Sequence, residues 1–186
     1  MLNTIPLNTG CGLIAEPFMP DPFKRAVILV TEYAEAGTMG FVLNHLSEYL
    51  LGDLLPDLPY SEIPVFIGGP VENETLHFIH CCPEKINDGI EVTEGVFWGG
   101  DFDTVKQLIT TYALNSQEIR FFSGYSGWDY KQLENEIQED SWLVTNKLNK
   151  NAIFCETETN LWRNQVVKLG KRFAHIVNFP VDPSLN

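Results

Sequence analysis

The chain has 186 residues, of which 44% are apolar and 12 are Phe, the composition of a globular protein rather than a fibrous or disordered one. Its 25 acidic residues against 12 basic ones leave a net charge of −13, a field that repels phosphate backbones and anionic lipid surfaces. No nucleic-acid or membrane partner is expected, and a chain this long can bury roughly 70% of its unfolded surface without a disulfide or a metal.

One domain is expected over residues 1–186. Met1 to Gly12 lacks the basic and apolar regions of a signal peptide. The longest aliphatic run, Ala26 to Val30, is far short of the ~20 residues that span a bilayer. Cys11, Cys81, Cys82 and Cys155 form no C-x-x-C pair, so free thiols in a reducing, cytoplasmic setting are expected.

Gly12-Leu-Ile-Ala reads as a short strand, followed by a proline-rich loop from Pro17 to Pro22. Ala26 to Tyr33 is apolar enough for a strand covered on both faces, and Gly40 to Asn44 returns beside it as a hairpin. Ser47 is placed to cap a short helix, Tyr49 to Leu55, with Leu50, Leu51, Leu54 and Leu55 facing inward. Pro56 to Pro64 is a loop. Val65 to Ile67 reads as a strand that leads through Gly68-Gly69-Pro70-Val71 to its partner, Thr75 to Cys82. Two more short strands, Ile90 to Val92 and Val96 to Trp98, precede a helix from about Asp101 to Leu114. Phe102, Val105, Leu108, Ile109 and Tyr112 repeat there at helical spacing.

The densest signals lie between Arg120 and Trp142. Arg120 to Ser123 reads as a strand with its arginine able to face water, and Gly124 and Gly127 as a turn displaying Tyr125 and Trp128. Asp129 and Gln132 form a capping-box variant that opens a helix, with Leu133 and Ile137 inward and Glu134, Glu136 and Glu139 outward. Trp142 to Val144 is a strand, Lys147 to Asn151 a loop, and Ile153 to Cys155 a short apolar piece. Thr159 caps a helix from Asn160 to Leu169 that ends at Gly170. Phe173 to Val177 fits strand or helix, and Pro180 to Asn186 is extended. Many short strands with three or four helices predict an α+β protein with a largely antiparallel sheet.

Motifs with chemical meaning are few. His77, His80, Cys81 and Cys82 would alternate on a strand, offering two ligands per face where a structural zinc takes four, so no metal is expected. Gly124-Tyr-Ser126-Gly127 is one residue short of the hydrolase elbow G-x-S-x-G. Neither Gly68-Gly69-Pro70 nor Gly124 to Gly127 matches a phosphate-binding loop, and no lysine stands ready beside them. Asn44, at a strand end before His45, either satisfies its own turn or offers a hydrogen-bonding group to a cleft. Tyr125, Trp128 and Tyr130 are core or lid, or partner anchors if exposed together.

Several pieces in order resemble the YqgE/AlgH family of bacterial proteins. They are Gly12-Leu-Ile-Ala-Glu-Pro17, Asp21-Pro22-Phe23-Lys-Arg-Ala-Val27, Gly40-Phe-Val-Leu-Asn44, Gly68-Gly69-Pro70-Val71, Gly124-Tyr-Ser-Gly-Trp128, Gln132-Leu-Glu134 with Glu136, Trp142, and Pro180-Val-Asp-Pro-Ser-Leu-Asn186. Two departures stand out: no residue intervenes between Pro22 and Phe23, and His45 stands where family members usually carry Arg. The resemblance implies a single compact α+β domain whose largely antiparallel sheet bifurcates and folds into a pseudo-barrel with helices packed outside. It implies no catalytic residue set and no cofactor. Some members carry a transcriptional-regulator label tied to alginate production, yet no helix-turn-helix with a basic second helix is visible here.

The function expected is a non-enzymatic cytoplasmic binding protein for a small molecule or a protein. Its candidate site joins Asn44, His45, Gly68, Gly69, Pro70, Tyr125, Gly127 and Trp128, with no catalytic residue assigned. Two alternatives are an enzyme using Glu134 or His45 as proton carrier in the same cleft, and a DNA-binding regulator, which the net charge opposes.

Overall fold

Ala26 to Val30 is aliphatic at every position, so a strand built from it needs cover on both sides. In the computed structural model, which describes residues 5–173 and 175–179, the strand β2 (Val27–Ala34) is fully buried from Val27 to Val30. Its neighbours β1 (Gly12–Ala15) and β3 (Gly37–Val42) pair with it antiparallel, and β10 (Trp142–Thr145) completes that flank beside β1. Val27 and Leu29 point with Ile14 into a core roofed by α4 (Lys150–Phe154) and α5 (Glu158–Lys168). Ile28 and Val30 point the other way, onto Trp128, Trp142 and Leu133 of α3 (Gln132–Gln138). Alternation along one strand thus feeds two cores.

The hub of the sheet is β9 (Ile119–Trp128). Its last residues pair with β3, Thr38 opposite Trp128. Its first half lies between β6 (Val71–His80), antiparallel, and β5 (Pro64–Ile67), the parallel partner. The order runs β10-β1-β2-β3-β9-β6-β8-β7, with β8 (Val96–Trp98) and β7 (Ile90–Thr93) at the far edge. From β9 a branch leaves through β5 to β4 (Leu46–Leu50). Ten strands therefore form one bifurcated, largely antiparallel sheet that does not close, and the α+β class read from the sequence is what the structure shows. A third core, built on Val65, Phe78 and Phe121, lies under α2 (Phe102–Thr110), whose N-cap Asp101 accepts from the Asp103 and Thr104 amides.

Several local expectations change. The glycines of Gly124 to Gly127 do not reverse the chain; β9 continues through them to Trp128, with Gly124 at φ 65° where the register against β6 shifts. Strand β6 pairs with β9 and β8 rather than with β5. Only one helical turn, α1 (Leu51–Leu54), forms after Ser47, because the backbone of 46–50 is taken by β5; Leu51 is buried while Leu50 and Leu54 are exposed. The long helix ends at Thr110, and Tyr112 sits beyond it with φ 55°, turned outward. Residues 150–154, expected as loop and strand, are helical because Asn149 accepts from the Ala152 amide as an N-cap. The N-cap of α3 is Lys131 and that of α5 is Thr157, in place of Asp129 and Thr159. Phe173 to Val177 falls into two 3₁₀ turns, Lys171–Phe173 and Ile176–Asn178, and the tail from Pro180 lies outside the described residues.

Candidate functional site

The glycines of the sequence motifs do meet in space, and they meet as backbone against backbone. A Cβ on Gly68 would stand 2.3 Å from the Gly124 carbonyl oxygen, and one on Gly69 would stand 2.3 Å from the Tyr125 carbonyl. The Gly68 amide donates to the Ser123 carbonyl, while its own carbonyl accepts from the Val42 amide and from Ser126 Oγ at 3.0 Å. Gly68, Gly69 and Pro70 thus lie in the crossing between β5 and β9, with the polar groups of Gly68 spent on the sheet. Ser126 is fully buried with its proton committed to that carbonyl, so the elbow-like spacing carries no exposed nucleophile.

Trp128 is not displayed. It is 5% exposed, packed edge-to-face against Trp142, and its Nε1 donates to Glu136 Oε2 at 2.9 Å. Trp142 Nε1 donates to the same oxygen at 2.8 Å. Glu136, expected to face water, instead holds two buried indoles together. Tyr125 is half-buried with its ring against His77, and Gly127 is exposed. Tyr125, Gly127 and Trp128 border an open hollow of about 380 Å³ with Met39 and Val71.

Asn44 and His45 lie at the other end of β3, away from this hollow. Asn44 closes a local clasp: its Oδ1 accepts from the Val27 amide and its Nδ2 donates to the Arg25 carbonyl. His45 Nε2 donates to the Lys24 carbonyl at 2.9 Å, and burial pushes its pKa below the ordinary imidazole value. Glu134 accepts the Tyr33 hydroxyl at 2.8 Å, which holds the Tyr33 proton more tightly. The structure brings Gly68, Gly69, Tyr125, Gly127 and Trp128 together along β9. The His45 carbonyl accepts from the Ile67 amide beside Gly68, but the Asn44 and His45 side chains turn away to the segment 24–27. His80 is fully buried and stacked on Phe97, beside Cys82, whose thiol burial pushes up to about 11. No group of three metal-ligating side chains exists among the described residues.

Two features escaped the sequence reading. The first is a groove of about 380 Å³ between the loop 57–64 and the end of α2. Leu58, Ile63, Ile109 and Leu114 line it, Asp57 and Glu62 edge it without any basic residue, and Tyr60 and Tyr112 stand on it 88% and 90% exposed. The second is a recess of about 210 Å³, which shares Ile63, Pro64 and Ser116 with the groove and reaches Arg120. Arg120, expected to face water, is 6% exposed. Its Nη1 donates to the Leu43 carbonyl at 2.7 Å and its guanidinium lies 4.4 Å over the Phe66 ring. Desolvation lowers its pKa to about 10, so it stays a cation at neutral pH. The available signals were Tyr60 between prolines, and a charge inside the apolar run Ile119 to Phe122.

Fold and site together define an α+β protein with a branched sheet, internally satisfied motif residues and an open, aromatic-edged groove. A family model described as AlgH-like matches residues 12–174, and the chain belongs to that family. It is 42% identical over 181 residues to a UPF0301 protein of Chlorobium limicola, covering 97% of this chain and 96% of that one. It is 34% identical to a UPF0301 protein of Bacteroides thetaiotaomicron, covering 99% and 93% of the two chains. The solution structure of the AlgH protein from Pseudomonas aeruginosa superposes with a TM-score of 0.71 at 25% identity, over 92% of this chain and 94% of that one. A crystal structure of protein DIP2367 from Corynebacterium diphtheriae gives 0.75 at 21% identity, over 96% and 95%, a likeness of fold.

Proposed function

We propose that this chain is a non-enzymatic binding protein that seats an apolar, basic-flanked segment of a protein partner in the groove between the loop 57–64 and the end of α2. The observation that carries the reading is the pair Tyr60 and Tyr112, almost fully exposed over a floor of Leu58, Ile109 and Leu114. Exposed tyrosines above an apolar floor are the form that partner anchors take, because a ring offers large contact area at small entropic cost. Glu62 at the edge, with no basic residue in the lining, favours Lys or Arg beside the segment's apolar side chains, while Asp57 already faces Lys106 at 3.7 Å. The free thiols Cys11, Cys81, Cys82 and Cys155 fit a cytoplasmic setting, and no helix among the described residues is long and apolar enough to cross a membrane. Any regulatory role then runs through the partner, since the net charge of −13 opposes DNA.

A panel of fluorescent peptides, apolar with and without flanking Lys, tests this by anisotropy against the wild type and the double variant Tyr60→Ala/Tyr112→Ala. The basic apolar peptides bind the wild type and lose at least about tenfold in affinity with the double variant. Equal binding to both proteins, or none to either, overturns it. A second reading, a small ligand in the hollow at Tyr125, Gly127 and Trp128, is favoured by that hollow's volume and by the exposed backbone at Gly127.

A further inference from the structure

A buried arginine with no acidic partner is costly, because taking the guanidinium out of water is repaid only by a matching anion. Arg120 is in that position. Among the described residues its guanidinium donates to the Leu43 carbonyl, and no carboxylate oxygen comes within 4.0 Å of it. Glu158 acts on it only at longer range. The side chain opens onto a recess of about 210 Å³, whose opposite wall is the start of α5. Thr157, in the lining, caps that helix without a side-chain hydrogen bond, so its hydroxyl does not satisfy the first-turn amides at the positive end of the helix dipole. Ser116 and Gln117 supply further polar groups on the rim.

We infer that the recess between Arg120 and the first turn of α5 is a binding site for a small oxyanion, a carboxylate or a phosphoryl group, held by the Arg120 fork. The recess is roomy enough to admit such a group. The guanidinium fork left over after the Leu43 contact offers parallel N–H donors, the geometry that planar oxyanions accept. Glu158, half-buried on the same wall, is an internal competitor whose charge lowers the affinity for any incoming anion, while Glu156, also in the lining, is paired with Lys168 at 2.8 Å. This assignment stands on the Arg120 geometry and is independent of the peptide groove, although the two spaces share Ile63, Pro64 and Ser116.

The test is an NMR titration of the full chain with inorganic phosphate and, separately, acetate, following the Arg120 Nε–H signal and the Thr157 to Thr159 amides. Saturable shifts confined to these signals are expected. A response to phosphate alone assigns the phosphoryl class, to acetate alone the carboxylate class, and to both an undiscriminating oxyanion site. Glu158→Gln tightens binding about fivefold by removing a competing charge from the half-buried wall. Arg120→Met abolishes the response; Arg120→Lys, which keeps the charge but not the fork and serves if the Met variant does not fold, weakens it about tenfold. Absence of saturable shifts in both the wild type and Glu158→Gln, or unchanged phosphate binding in Arg120→Lys, overturns the inference.

Discussion

The β9 crossing and the α2 groove are opposites. At the crossing, Gly68, Gly69 and Gly124 let three strands of backbone touch, Ser126 bonds inward, and one carboxylate, Glu136, holds two tryptophans. At the groove, tyrosines stand exposed over an apolar floor, and the adjoining recess holds an arginine with no carboxylate within 4.0 Å among the described residues. The first region is rich in sequence motifs and leaves few polar groups free for a ligand. The second carries no recognisable motif and leaves contacts unmade. Residues that look special in a sequence can be special for packing, while binding surfaces built from a loop and a helix end leave no fixed spacing to read.

Breaking the crossing should cost the most. Gly68→Ala drives a Cβ to 2.3 Å from the Gly124 carbonyl oxygen, a backbone atom, with the buried Phe122 and Phe41 side chains 3.0 Å away. Chemical denaturation should show a loss of at least ~3 kcal/mol, or no folded protein. Glu136→Ala strands two indole N–H groups that share one carboxylate, Trp142 being 1% exposed, and should cost ~3 kcal/mol, whereas Glu136→Gln, which keeps an acceptor, should cost ~1 kcal/mol. Equal small losses in both variants would show that the indoles find other partners.

Acid should act on the sheet next. Burial holds the imidazoles of His45, His77 and His80 below the ordinary value, so the unfolded chain binds more protons than the folded one in the window beneath it. Stability is therefore full above about pH 6.5 and falls as the pH drops through that value toward the folded-state pKa values. Urea midpoints at pH 7.5 and 5.5 check the direction; a higher midpoint at pH 5.5 would contradict it. The smallest effect belongs to the groove, where Tyr60→Ala and Tyr112→Ala should each change stability by no more than ~0.5 kcal/mol, since neither ring is buried. Losses as large as those at the crossing would make these tyrosines structural and erase the contrast.

Much of the fold was legible because apolar runs and turn residues state their needs locally. Gly12 to Ala15, the hairpin of β2 and β3, and Trp142 to Thr145 follow from short-range pattern. Pairing was not, because which strand meets β9 depends on contacts far apart in the chain; nothing local in Thr75 to Cys82 or in Gly124 to Gly127 distinguishes a partner in β9 from one in β5, or a continuing strand from a turn. Glycine needed for close approach and glycine needed for a turn look the same in a sequence. Arg120 was misplaced for a similar reason. Its burial arises from β5 and β6 on either side and from the recess wall, none of which its neighbours Ile119 and Phe121 announce.

On the proposed reading, binding belongs to the open groove and its recess rather than to the motif-rich crossing. The most direct measurement is a residue-resolved NMR screen of the labelled chain against metabolites, nucleotides and short peptides. The account predicts shifts clustered on the loop 57–64 and on Ile109 to Ser116, driven by basic apolar peptides. Shifts clustered instead on Thr38, Met39 and Tyr125 to Asp129, with the groove silent, would contradict it.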